Sequence, residues 1–488
     1  MGGGGGVPRG GRPAPGGAGR HGDRTRQDGG SRRARPRPGS GHGGGGRYGG
    51  GGRQPAGGRL ADGGYGTIVA IHGTSLTTYD VTRNSCTPGV TTAEQFGTPL
   101  PGGAVRYGAP GEPFAQLTVT PHGRHRAVYA RDPSTGTRAL VRLPGGLPGR
   151  CTLPVSNEPL AVFDRFWDSF EENYPFFDAK GVDWHAQRAA YRPKVTAENL
   201  VDTIIAMVAP LQDSHIALLR ATPDGGYRTF FRAMRAGTVA PTPELLAAVR
   251  PPVNAQLTAP EQQFANGLIG VGRLPDDLGY LRVSAFSDYA AGGQQAQEAE
   301  LDRAADALLT PALRGVVIDV RVNAGGSDAL AVRLASRFTD HPYLAYRKIA
   351  RNDPADPTAF TPPQPVTVRP AAGAARFTGP VALLTSGSTV SAGETFTQAM
   401  TGRTPHVTRI GENTQGVFSD GLPRRLSPDL LLLLPNEEFL TPAGTTFDGP
   451  GIPPDTRTPV FTPEELAALK DSALTEARRL LTAEAGRR

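Results

Sequence analysis

The stretch with the clearest capacity for chemistry runs from Pro380 to Met400. There an apolar strand, Val381 to Leu384, passes through the small-residue loop Thr385 to Val390 into Ser391-Ala392-Gly393-Glu394 at the start of a helix. Unpaired backbone N–H groups and the positive end of the macrodipole at a helix N-terminus favour the negative charge that an acyl-transfer transition state develops on oxygen. Ser391 is thereby a candidate nucleophile. The same Ser-x-x-Glu spacing is also a capping box, in which Ser391 and Glu394 satisfy each other's amides, and this stretch alone does not choose between the two.

Two other stretches could work with it. Ser214-His215, in Gln212-Asp213-Ser214-His215, offers a candidate base with a neighbouring hydroxyl in a loop just past a helix. A histidine there can also simply complement the negative pole of the helix. Arg321-Val322-Asn323-Ala324-Gly325-Gly326 follows an apolar strand, and its paired glycines let backbone approach a ligand and point N–H groups at it. One of the Gly325 or Gly326 amides, with that of Ala392, could form an oxyanion hole. The pair could equally be a plain turn. His122 and His125 gather no further ligand types around them and no dinucleotide fingerprint appears in a credible context, so no metal and no organic cofactor is expected.

The elements that must position these groups read as follows. Short β-rich runs such as Thr67-Ile68-Val69-Ala70-Ile71 alternate with turn residues up to about Leu153 and predict a small all-β module over 63–154. Phe163, Phe166, Trp167, Phe170 and Tyr174 recur at helical spacing and give one aromatic core face. A second helix follows Asp183 until Pro193, and a third is expected from a Thr196 cap. These make a helical segment over 155–220 that carries Ser214 and His215. Residues 221–277 are Pro-rich and read as an irregular connection without an evident PDZ domain. From 278 to 460, strands (Gly279–Phe286, Gly315–Val320, Tyr343–Ile349, Val381–Leu384, Leu430–Leu434) alternate with helices (292–309, 328–338, and the one at Ser391). This predicts an α/β domain, and the all-apolar Val316-Val317-Ile318 and Leu430 to Leu434 suit a sheet covered on both faces. Thr462-Pro463-Glu464-Glu465 opens an amphipathic C-terminal helix within 461–488.

Composition is uneven across the 488 residues, with a formal charge of +7. Residues 1–62 form a Gly/Arg/Pro-rich tail read as disordered, and its first 60 residues hold twelve Arg against Asp23 and Asp28, about +10, so the remainder is near neutral. The tail resembles Arg/Gly RNA-binding segments but has only Tyr48 to stack on bases, so no nucleic-acid partner is expected beyond a weak route through it. No apolar window reaches transmembrane length, and the chain as given opens without the apolar core of a secretory signal; an extracellular placement requires a different true start. Cys86 and Cys151 either close a disulfide or remain two buried thiols.

Taken in order, Asp319-x-Arg321-x-Asn323-x-Gly325-Gly326, Ser391-Ala392-Gly393-Glu394, Gly411-Glu412-Asn413-Thr414-x-Gly416 and Gly451-Ile452-x-Pro454-Asp455 resemble the motifs of the tail-specific (C-terminal processing) serine peptidase family. The helices from Phe163 to His215 are similar to the segment preceding its core. Four motifs in order are more specific than one, and the resemblance spans roughly Asn157 to Pro459. It implies a crotonase/Clp-protease-like β-β-α core and a peptide or unfolded-protein substrate. The processing branch places a catalytic lysine where this chain has Val417, and no lysine occurs between Lys348 and Lys470. The resemblance therefore points to the tricorn-like branch. It implies Ser391 as nucleophile, His215 as general base and then acid, Ser214 as the hydroxyl that orients the imidazole, and Asp448 as the carboxylate behind Ser214, with Glu412 in reserve. Aspartate stands where the family usually has glutamate.

Two rivals remain in view. An α/β-hydrolase esterase wants Gly-x-Ser-x-Gly, but Thr389 replaces the first glycine, and His406 precedes Asp448, which breaks its chain order. A catalytically silent member of the same fold, binding peptides or apolar ligands, is the alternative from another class.

Overall fold

The structure, a computed structural model, describes residues 58–108, 116–132 and 134–485. Most of the tail expectation, residues 1–57, lies outside them. Strands from Gly58–Asp62 to Thr137–Arg142 close an antiparallel eight-stranded barrel. Its first strand thus falls inside the stretch read as tail. Strand Ser75–Val81 alternates buried and part-exposed residues as a period of two requires, and Leu60, Val69, Leu76, Val105, Leu117 and Leu140 fill the interior. Cys86 and Cys151 form a disulfide that ties a barrel strand to the segment leading into the helices.

Helix Pro159–Asn173 buries Phe163, Phe166, Trp167 and Phe170 as its aromatic stripe, packed with Ile204, Met207 and Val208 of helix Leu200–Val208. The third helix is capped at Asn199 rather than Thr196; the Thr196 N–H instead donates to Asn199 Oδ1 at 2.8 Å. After this helix the chain turns at Gln212, in left-handed backbone, and delivers Asp213-Ser214-His215.

The α/β core is a seven-stranded sheet ordered Gln262–Phe264, Ile269–Leu274, Leu278–Val283, Gly315–Asp319, Val381–Thr385, Val407–Gly411, Thr456–Arg457, parallel from Leu278–Val283 onward. Gly315–Asp319 and Val381–Thr385 are buried at every residue, because helices Gln294–Leu308, Asp328–Ala335 and Ala392–Thr401 cover one face and helix Ser472–Ala485 the other.

Three expectations give way. Leu430–Pro435 is not in this sheet; it pairs antiparallel between Ala217–Ala221 and Gly421–Arg425, buried under the aromatic helices. An all-apolar run reports burial, and burial does not name the sheet. Residues 221–277 are largely regular, with helix Pro243–Asn254 capped by Thr242 and three strands. The predicted cap at Thr462 forms, but its helix stops at Ala467, and Asp471 restarts the chain by accepting from the Leu474 N–H at 2.9 Å. The other carboxylate oxygen of Asp471 pairs with Arg321 Nη2 at 2.8 Å, which fastens the C-terminal helix to the turn after Gly315–Asp319. Among the described residues no helix is long and apolar enough to cross a membrane.

Candidate active site

Two adjacent parallel strands build the site by carrying their loops to the same edge of the sheet. Thr389 Oγ1 donates to the Val320 carbonyl at 2.8 Å and Ser386 Oγ to the Arg321 carbonyl at 2.6 Å, while the Asn323 and Val390 N–H groups bond across to Ser388 and Asn323 at 3.0 and 3.1 Å. The loop before Ser391 is therefore stitched to the Arg321–Gly326 turn. Asn323 is the pivot, its Nδ2 donating to the Val283 carbonyl at 2.8 Å.

Ser391 caps helix Ala392–Thr401 with φ 55° and ψ −117°, a backbone state that L-residues avoid. Half of the capping box forms, the Ser391 N–H donating to Glu394 Oε2 at 3.3 Å, while the serine hydroxyl makes no cap hydrogen bond. The Glu394 N–H goes instead to the Ser391 carbonyl at 2.7 Å. Glu394, fully buried, also accepts from the Gly416 and Val417 amides at 2.6 and 2.9 Å. Burial holds its carboxyl up to about 7 even against those donors. Sequence reading treated Glu394 as half of a cap; the structure makes it a clamp on the Ser391 backbone and on Val417, the position where the processing branch carries lysine.

Of the oxyanion candidates, Gly325 is spent: its N–H donates to Asn323 Oδ1 at 2.9 Å. Gly326 and Ala392 remain. Phe286 bonds to the groups on either side, its N–H to the Gly325 carbonyl at 2.7 Å and its carbonyl from the Ser327 N–H at 2.8 Å, so the Gly326 N–H is free among the described residues. Ala392 is the first residue of its helix, where amides have no intrahelical partner.

His215, Ser391 and Gly326 line one cavity of about 260 Å³. His215 is half-buried, with Nδ1 unpartnered, and Ser214 Oγ is likewise buried without a partner. Burial and then the Arg232 charge hold the imidazole down to about 4, and Asp420, also in the cavity wall, pulls it upward. Asp448 is buried but points its bonds elsewhere: Oδ1 accepts from the Phe418 N–H at 3.2 Å and Oδ2 from Thr446 Oγ1 at 2.7 Å, with no bond to Ser214. Burial, Asp213 and Glu394 all push its carboxyl well above the usual range. Glu412 is outside the cavity wall; burial pushes its carboxyl up, against Arg457 and Arg235.

Sequence reading also missed a buried charge cluster beside the site. Lys348 Nζ lies 3.1 Å from Asp420, 3.2 Å from Glu437 and 3.3 Å from Ser134 Oγ of the barrel. These acids hold its ammonium well above the ordinary lysine range, so this lysine is a counter-ion and no proton acceptor. The signal was invisible because its members are far apart in the chain.

The model for peptidase family S41 matches residues 277–458, and that for the tricorn protease C1 domain matches residues 156–199. A search among curated proteins finds no match. Among solved structures, a candidate peptidase from Parabacteroides merdae ATCC 43184 is 25% identical, covering 67% of this chain and 97% of its own, with a TM-score of 0.56. CPAF complexed with lactacystin is 11% identical over 66% of this chain and 97% of its own, with a TM-score of 0.48. The tricorn protease is 14% identical over 86% of this chain and 46% of its own, with a TM-score of 0.42. With a peptidase family S41 core over residues 277–458 following a tricorn-type helical segment, the chain carries the core of the tail-specific peptidases and is a serine-type peptidase.

Proposed function

We propose that this peptidase works through an acyl-enzyme on Ser391 with His215, and not a lysine, as its base. The observation that carries the reading is that a strained, helix-capping serine shares a cavity with a histidine whose Nδ1, and whose neighbouring Ser214 hydroxyl, are both buried without partners. Buried polar atoms left unpaired are costly, and one bond from the His215 Nδ1–H to Ser214 Oγ would relieve both. That bond would fix the tautomer and leave the other ring nitrogen, Nε2, to face the nucleophile.

In the forward step Ser391 Oγ attacks the substrate carbonyl carbon while His215 takes the hydroxyl proton. The carbonyl oxygen becomes an oxyanion between the Gly326 and Ala392 N–H groups, at the positive end of helix Ala392–Thr401. Collapse breaks the C–N bond, and the His215 proton goes to the leaving amine. Water, deprotonated by the same histidine, then releases the acyl group. Asp448 serves behind Ser214; its shorter side chain and its bonds to Phe418 and Thr446 make it the weakest link. The alternation of parallel strands and helices around Ser391 supports a crotonase-like reading of the core, and a peptide or unfolded chain is the substrate class that the family implies.

The test is hydrolysis of a quenched-fluorescent peptide library with intact-mass trapping of the acyl-enzyme. Ser391→Ala should abolish both signals. His215→Ala should reduce turnover by about 10³-fold or more, in the range that loss of a general base costs. Normal turnover by His215→Ala would overturn the assignment.

A further inference from the structure

Between strand Tyr227–Arg232 and helix Pro243–Asn254 the chain runs as a strap over three loops that end at candidate catalytic groups. At its start Arg232 Nη1 donates to the Ser214 carbonyl and the Ala233 N–H to the Ile216 carbonyl at 3.1 Å, on either side of His215. The Ala236 N–H donates to Gln212 Oε1 at 3.1 Å, at the turn that delivers Asp213-Ser214-His215. At its far end the Val239 carbonyl accepts from Ser388 Oγ at 2.6 Å, just ahead of Ser391. Arg235 reaches the third loop, Nε donating to the Gln415 carbonyl at 2.9 Å and Nη2 to the Thr414 carbonyl at 2.7 Å.

That third loop is itself part of the support of Ser391. The Gln415 N–H donates to the Thr389 carbonyl at 3.0 Å, and the next two amides, of Gly416 and Val417, go to the Glu394 carboxyl that holds the Ser391 N–H. Arg235 thus grips two successive carbonyls directly before the amides that clamp Glu394. A guanidinium does this with a rigid fork of parallel donors, which the single point of a lysine ammonium does not offer. Arg235 is outside the wall of the cavity that Ser391 and His215 share, so any influence on the reaction passes through the loops it holds. The top of the strap, Ala236, Gly237, Val239 and Ala240, is exposed, and the strap is fixed chiefly by these few polar bonds.

We propose that Arg235 is a positioning residue of the peptidase, and that the strap Ala233–Val239 sets the spacing between the loop of His215 and the loop of Ser391. The proposal rests on the reading of Ser391 as nucleophile and His215 as base. The two groups stand on separate elements, and a proton passes between them only when both loops are held at hydrogen-bond reach. The strap is bonded to both loops, and Arg235 fastens it to the Thr414–Val417 segment that carries the Glu394 clamp.

The experiment compares the full chain with Arg235→Ala, Arg235→Lys and Ser388→Ala, by steady-state hydrolysis of quenched-fluorescent peptides and by the rate of fluorophosphonate labelling at Ser391, which needs no substrate. Thermal unfolding checks that each variant is folded. Arg235→Ala should lower kcat about 10²-fold, the cost of misplaced catalytic groups, with KM changed by less than about threefold and labelling slowed in parallel. Arg235→Lys keeps the charge without the fork and should recover no more than about tenfold of that loss. Guanidinium chloride below denaturing concentration should raise the kcat of Arg235→Ala at least about fivefold and leave the wild type unchanged, because the free cation can bond the same two carbonyls. A residue that served stability alone would show no such recovery. Ser388→Ala, which frees the far end of the strap, should lower kcat about tenfold at unchanged KM. Wild-type kcat in a folded Arg235→Ala protein, a rise in KM alone, or a loss of kcat that guanidinium does not restore would overturn the proposal. If Arg235→Ala does not fold, unchanged kcat and labelling in Ser388→Ala would overturn it. Failure of the underlying reading is separable, since Ser391 would then go unlabelled in the wild-type chain or Ser391→Ala would still turn over peptide.

Discussion

Gly325 lies so close to Ser391 that a β-carbon there would stand 2.6 Å from the serine Cβ and 3.1 Å from its Oγ. The turn of one strand is thus the seat for Ser391, which follows the next. Gly325 also has φ +84°, where a side chain adds about 1–2 kcal/mol of strain. Gly325→Ala should therefore lower the melting temperature and also displace Ser391. A displacement of that kind costs on the order of 10² in kcat, read by steady-state kinetics beside thermal unfolding. Wild-type kcat in a folded Gly325→Ala protein would show that the seat does not matter.

The pH profile follows from the surroundings of His215. Its imidazole is held down to about 4 from 6.5 by burial and Arg232, against Asp420. A base acts in its neutral form, so the acid limb of kcat/KM should fall below the ordinary histidine range. Arg232→Gln should move that limb up and Asp420→Asn should move it down. The linked stability has a definite sign. The unfolded imidazole takes a proton near pH 6.5 and the folded one only near 4, so this contribution is complete above about 6.5 and is lost as pH falls through that window. An acid limb fixed near 6.5 in all three proteins would contradict the account.

Glu394 gives a prediction that separates positioning from binding. Its carboxylate accepts from Ser391, Gly416 and Val417, and Glu394→Gln replaces one acceptor oxygen by a donor. We expect kcat to fall about tenfold or more with KM little changed, as for an interaction that orients the nucleophile. A rise in KM alone would place Glu394 in substrate binding.

Lys348 tests the charge cluster. Lys348→Met leaves Asp420 and Glu437 without their shared cation, and breaking a buried pair costs about 3–5 kcal/mol. Chemical denaturation should show a loss of that order at neutral pH, shrinking as acid neutralises the carboxyls. An unchanged midpoint would show that the cluster carries no such weight.

Much of this was legible because it is local. The strand, small-residue loop and Ser-x-x-Glu start at Ser391, the Gly325-Gly326 turn and the aromatic stripe from Phe163 to Tyr174 are read from spacing, and each forms where expected. What the sequence withheld is tertiary. Nothing near Gly325 says that Asn323 takes its amide while the Gly326 amide stays free among the described residues, or that Arg131 of the barrel reaches the cavity of Ser391. The placement of Leu430–Pro435 beside Ala217–Ala221 likewise depends on which surface its apolar residues meet.

The central claim is an activated serine at position 391 that depends on His215. The most direct measurement is fluorophosphonate labelling of the purified chain beside Ser391→Ala and His215→Ala, with the modified peptide read by mass spectrometry. The account predicts a single adduct on Ser391 that both substitutions abolish. An adduct on another serine, or labelling of Ser391 undiminished by His215→Ala, would contradict it.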